Sequence, residues 1–350
     1  MDRIPVYTDI ENLIEVFSME RQTDIFSGLK HFLSKESILT FCADESAVCA
    51  HPFFQHLATE FASGNFVIKY IDETESFLKA PFKTNLQERL SNKSSVLLSS
   101  DKTRVEMSID KNGFLIGSTG QEVNIYNKLN FQKSFFRANR ILTIGDEFKN
   151  YTDLEPFILP FTEIIINEPY LFLPERREFD LNSYLDNNFK GLFDSVFKNV
   201  KNKVNVVIST YVNEQSEHES NWFELASRSF NPLFDFIKNY LTTKLGAANY
   251  KLWLVVSPMV RQARHDRYIL TNYQYIESGA GLTFFDDRAN FINRGEAIHL
   301  YSILHDDFRR STLPSVINNL QKKVVDSVKI THPHRIYKTD VCDSHFLKFE

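Results

Sequence analysis

Between Arg261 and Asn272 the chain gathers three arginines, a histidine, an aspartate and an asparagine: Arg261, Arg264, His265, Asp266, Arg267 and Asn272. If this stretch is extended, alternation puts His265 on the same face as Arg267, Ile269 and Thr271, and sends Tyr268, Leu270 and Asn272 to the other. An imidazole and a guanidinium on one strand face can hold an anion. Phosphate suits them best, because the guanidinium presents a planar fork of N–H donors to two of its oxygens. Arg261 and Arg264 would extend the grip, and Asn272 would need a bulge to join it. The turn that follows, Ser278-Gly279-Ala280-Gly281, offers backbone N–H groups to the same anion. The phosphate-binding set expected from the sequence is therefore Arg267, Arg264, Arg261, Asn272, Ser278, Gly279 and Gly281, with His265 beside them.

The elements that must position this cluster are legible from hydrophobic patterning. Glu163 to Tyr170 reads as a strand, Leu181 to Val200 as a helix, Val204 to Tyr211 as a strand, Trp222 to Leu245 as a helix and Lys251 to Val256 as a strand. This β-α-β-α-β series leads straight into the arginine-bearing strand. A last strand at Ala297 to Ile303 and a helix at Leu313 to Val328 follow. Upstream, helices are expected over Ile10 to Leu33, and Ser37 to Ala43, Asp44 to Ser63 and Phe66 to Ile71 read as a β-α-β unit. Asn112-Gly113, set between alternating segments, predicts a hairpin and a small meander over Ser94 to Asn127. Phe135 to Asp153 reads as the link between two domains, an N-terminal α/β domain over 1–150 and a second over 151–350.

The pattern His265-x-Arg267-x4-Asn272, followed by Gly279-Ala280-Gly281-Leu282-Thr283-Phe284-Phe285, resembles the phospholipase D signature His-x-Lys-x4-Asp with its following glycine segment. It is more similar still to the phospholipase D-like domain at the C-terminus of MIT-domain proteins of the ESCRT system. Ile166-Asn167-Glu168-Pro169-Tyr170 looks like that family's first strand, and the resemblance covers about residues 155 to 310. It implies an α/β fold with a C-terminal mixed sheet flanked by helices. It also implies a phosphate site in which His265 would be the nucleophile of a phosphodiesterase or nuclease. Arginine stands here where the enzymes carry lysine, asparagine where they carry aspartate, and a second copy of the motif is missing from the sequence. The leading expectation is a binding or sensor protein for a phosphate-bearing polymer, nucleic acid first, in a microbial defence or mobile-element setting. An anionic-lipid adaptor and a dimeric hydrolase using His265 from each subunit are the alternatives, with a homodimer or a partner protein from the same operon as the assembly.

Composition narrows these classes. A net charge of −5 and a pI near 6.1 argue against a generic nucleic-acid coat, which needs a broad excess of Lys and Arg, so any anion site must be focused. Phenylalanine is abundant, at 32 of 350 residues, and reads first as core. Cys42, Cys49 and Cys342 form neither a disulfide framework nor a zinc pattern, and no cofactor or metal is expected. Lacking an apolar leader or a membrane-length run, the chain reads as cytoplasmic. Arg176-Arg177, Arg309-Arg310 and Lys322-Lys323 read as solvated charges, and His332-Pro333-His334-Arg335 as an exposed tail.

Overall fold

Short runs of branched and aromatic residues, each too apolar to leave one face in water, assemble into two sheets. The computed structural model describes residues 3–18, 29–64, 66–71, 90, 93–99, 113–117, 139–172, 180–212, 231–258, 267–329, 336–339 and 344–348. The first sheet has five strands: β1 (Ile4–Thr8), β2 (Ser37–Phe41), β3 (Val67–Tyr70), β4 (Val96–Leu98) and β5 (Leu115–Gly117). They lie in the order β3-β2-β1-β4-β5, and every neighbouring pair is parallel.

The β-α-β unit forms as the sequence predicts, while the first arm and the Asn112 corner of the expected hairpin, within 100–112, lie outside the described residues. β4 and β5 run parallel to β1, and Gly113, leading into β5, adopts a positive φ of 70°. β1 escapes sequence reading because it is short and carries Pro5, which argues against an interior strand, yet it lies at the centre of this sheet. The helix expected over Asp44 to Ser63 divides into Glu45–Ala50 and Phe54–Gly64. Pro52 explains the break: the residue before it, His51, is forced out of the helical region to ψ 129°.

The second sheet has eight strands: β6 (Asn139–Thr143), β7 (Glu163–Asn167), β8 (Val204–Val212), β9 (Tyr250–Pro258), β10 (Tyr268–Thr271), β11 (Gln274–Ser278), β12 (Ala297–Ser302) and β13 (Ile336–Lys338). Their order is β13-β9-β8-β7-β10-β11-β12-β6, with β7, β8 and β9 parallel and the remaining pairs antiparallel. β6 precedes residue 150, so a stretch read from the sequence as linker is the edge strand of this sheet. The fold is α/β with helices on both faces of the mixed sheet. One face buries Ile164, Ile166, Ile208 and Leu254 against the helical segment 181–197 and the helix Asn231–Leu245; the other buries Ile165, Val207, Trp253 and Tyr275 against the helix Leu313–Lys329. Phenylalanine is core material here, as in the Phe189–Phe193 and Phe148–Phe284 contacts, with ring centroids 4.4 and 4.5 Å apart.

The two sheets are joined by the tip of the β10–β11 hairpin, residues Asn272 and Tyr273. Tyr273 is fully buried among side chains of the first sheet; its hydroxyl donates to Ser95 O (2.6 Å) and accepts from Leu115 N (2.9 Å). Ser94 Oγ donates to Asn272 O at 2.8 Å. Arg309, read from the sequence as a solvated charge, is only 1% exposed and bonds Glu36 Oε2 at 2.6 Å and Asp306 Oδ1 at 3.0 Å. Burial raises the Glu36 carboxyl, helped by Asp306 beside it.

Two measurements follow from this junction. Tyr273→Phe leaves Ser95 O and Leu115 N buried without their partner and is expected to lower unfolding free energy by about 3 kcal/mol, read from urea denaturation. The second concerns His345, whose backbone N–H donates to Glu163 Oε2 at 2.6 Å while its ring sits 3.4 Å from Ser94 Oγ. Burial, with Lys93 nearby, pushes the imidazole down from 6.5 to about 4. The unfolded chain therefore binds more protons than the folded one between those values, so stability is full above pH 6.5 and is lost as pH falls toward 4. In His345→Gln the stability-against-pH curve should be flatter than wild type across that window, the carboxylate contributions being common to both proteins.

Candidate functional site

The parallel strands β7, β8 and β9 end at one edge of the second sheet. From β7 the chain moves outward through β8 to β9, then returns to lay β10 on the opposite side of β7. The carboxyl end of β7 is therefore the switch point, where open α/β sheets form their ligand crevices. Glu168, Pro169 and Tyr170 lie there, and Arg267 arrives from the amino end of β10.

Arg267 is held by backbone and ring. Its Nη1 donates to Ala280 O at 3.0 Å, and its guanidinium carbon lies 5.0 Å from the centre of the Tyr170 ring. Glu168 is fully buried: Oε1 accepts from Tyr170 N at 3.0 Å and Oε2 from Leu282 N at 2.5 Å. Tyr170 O accepts from the Tyr184 hydroxyl at 2.8 Å, and Pro169 O from Thr210 Oγ1 at 3.2 Å, which anchors the chain leaving β7.

The glycine turn sits against this corner. Gly281 N donates to Ser278 O at 3.0 Å, closing the turn, and Ser278 N reaches Arg267 O at 3.4 Å. Ser278 is 2% exposed and its Oγ has no hydrogen-bond partner among the described residues. Gly279 is exposed, and a Cβ on it would touch nothing. Gly281 is different. It adopts φ 92°, and a Cβ there would lie 2.8 Å from Arg267 Nη1 and 3.1 Å from Glu168 Oε2. Beyond the turn, the Tyr151 hydroxyl donates to Leu282 O (2.7 Å), and Asn188 Oδ1 accepts from Phe285 N (3.0 Å), so the exit strand is fixed from below. Burial drives the Tyr151 phenol well above its ordinary range, leaving it a neutral donor.

Of the residues singled out in the sequence, the structure brings together Arg267, Ser278, Gly279 and Gly281. Asn272 stands apart, at the other end of β10, about 16 Å along the strand from Arg267. Its Oδ1 accepts from Thr162 N (2.7 Å) and Glu163 N (3.0 Å), capping the start of β7. Arg261, Arg264, His265 and Asp266 lie outside the described residues, as do Arg176-Arg177 and the His332 to Arg335 tail. The sequence reading gave Glu168 no part in the site; the signal available for it was its place at the end of an otherwise apolar strand. Among the described residues no group of three or more His, Cys, Asp and Glu is placed to hold a metal, and no helix is long and apolar enough to cross a membrane.

Neither a protein-family model nor a curated protein matches the chain. Among solved structures, phosphatidylserine synthase from Haemophilus influenzae Rd KW20 aligns with 53% of this chain and 35% of its own, at 11% identity and a TM-score of 0.28. The aligned part thus spans about a third of that protein's length.

The Gly281 geometry is directly testable. Gly281→Ala combines a strained left-handed backbone with displacement of the Arg267 and Glu168 side chains. It should cost about 2 kcal/mol or more in urea denaturation with an unchanged m-value. Gly279→Ala, which meets open space at an ordinary φ, should leave stability within about 0.5 kcal/mol of wild type.

Proposed function

We propose that the protein binds a phosphate-bearing polymer, nucleic acid by preference, at the carboxyl edge of β7. The observation that carries this reading is the state of Arg267: a half-buried guanidinium held by Ala280 O and the Tyr170 ring, beside an exposed turn in which nothing crowds Gly279. A cation fixed in place before the ligand arrives loses little side-chain entropy on binding, which favours recognition. The buried Ser278 Oγ, lacking a partner among the described residues, is a polar group next to the same corner.

Sequence position supports the rest of the set. Arg261, Arg264 and His265 immediately precede Arg267, and we assign them the extension of the grip along the polymer. An overall charge of −5 makes the interaction focused rather than diffuse, so few phosphates are contacted and the salt dependence is shallow compared with that of a basic coat.

The test is fluorescence anisotropy with labelled single- and double-stranded DNA and RNA at low and moderate salt. Removing one charge-assisted contact costs about 1.5–3 kcal/mol, so Arg267→Ala should bind roughly tenfold to a hundredfold more weakly, with Arg267→Lys in between. Arg267→Ala that folds and binds like wild type would sink the assignment. Strand cleavage that His265→Ala abolishes would identify the protein as a nuclease.

A further inference from the structure

We propose that Glu168 is the positioning residue for Arg267, a buried negative charge that fixes where the guanidinium sits; this rests on the reading of the Arg267 corner as a phosphate site. The antiparallel register pairs Tyr268 with Asn167, which sets Arg267 opposite Glu168 at the next step of the ladder. The missing side chain of Gly281 makes the geometry explicit: Arg267 Nη1 and Glu168 Oε2 lie 2.8 and 3.1 Å from the single point its Cβ would take.

Glu168 cannot relax away from this place. Both of its oxygens are occupied by backbone N–H donors, from Tyr170 and Leu282, and the residue is fully buried. A carboxylate so enclosed is costly unless a cation stands near it, and Arg267 is the cation that the fold delivers there. The arginine gains in return. Its long side chain would otherwise sample many rotamers; Ala280 O and the Tyr170 ring hold it, and the Glu168 carboxylate lies 3.1 Å from the same Gly281 point, its charge favouring that placement.

This assignment makes a prediction with a sign. By Coulomb attraction alone, removing a negative charge beside an anion site should strengthen anion binding. If Glu168 instead positions Arg267, removing its charge should weaken binding, because the guanidinium is released. Glu168→Gln is nearly isosteric and removes the charge while keeping one carbonyl acceptor for the two backbone N–H groups, so the folding check and Glu168→Asp, which keeps both acceptors, accompany it.

The experiment measures affinity for a labelled single-stranded oligonucleotide in wild type, Glu168→Gln, Arg267→Ala and the double variant, with folding checked by denaturation. Expected are at least fivefold weaker binding in Glu168→Gln and a double variant no weaker than Arg267→Ala, the non-additivity of two residues acting through one contact. Equal or tighter binding by folded Glu168→Gln overturns the positioning assignment while leaving the phosphate site standing. A wild-type protein that binds no oligonucleotide overturns the phosphate site itself. Should Glu168→Gln fail to fold, Glu168→Asp carries the test, since it keeps the charge but withdraws it by one methylene: weaker binding supports positioning, and unchanged binding overturns it.

Discussion

The hydroxyl of Tyr273 is the contact on which the arrangement of this molecule turns. It lies at the tip of the β10–β11 hairpin, fully buried, takes a backbone donor from β5 and gives its proton to the carbonyl just before β4. Because a buried phenol is far more costly unpaired than paired, the hairpin can sit in only one register against the first sheet. Fixing the tip of a two-stranded ribbon also fixes its base. The base is where Arg267 and Ser278 stand, so the contact that joins the sheets also sets the position of the candidate site.

Among the described residues, that corner pairs one positive charge with one negative. A guanidinium and a fully buried carboxylate converge over a glycine, and the carboxylate is further quenched by two backbone donors. In the proposed reading this corner offers an anion a donor already held in place rather than a large net charge, in keeping with a chain that is acidic overall. It also explains why glycine at 281 is a geometric necessity, whereas at 279 its value lies in leaving the turn open.

Patterning revealed most of the second sheet. Strands β7, β8, β9, β10 and β12 and the helices 181–197 and 313–329 follow from apolar periodicity, as does the described part, 231–245, of the helix expected from Trp222, because each buries a full face and so leaves an imprint on composition. β11 was not foreseen. The face assignment of Arg267 against Tyr268 was legible for the same reason, since alternation is a property of any strand. What stayed hidden was long-range. The parallel pairing of β4 with β5 depends on a partner elsewhere, β1, which is about a hundred residues upstream and disguised by Pro5. Asn272 looked like part of an anion site because it lies in the right motif; only the two-residue hairpin shows that it caps β7 at the far end. Arg309 looked solvated because its acidic partner Glu36 is distant in sequence.

The order in which the chain is made gives the shared core a further meaning. The first sheet is encoded before residue 118, yet the side chains that complete its core include Tyr273 and Leu304, and its Glu36, which has His31 beside it, takes its guanidinium partner from Arg309. During synthesis its strands emerge well before those residues leave the ribosome, so the nascent sheet has an unfilled apolar notch and a carboxylate lacking its arginine for the time needed to add some 190 residues. At about 5–20 residues per second that interval is on the order of 10–40 seconds. The amino-terminal half is thus first in the chain and last to be finished, a dependence that ties its maturation to translation of the site-bearing half.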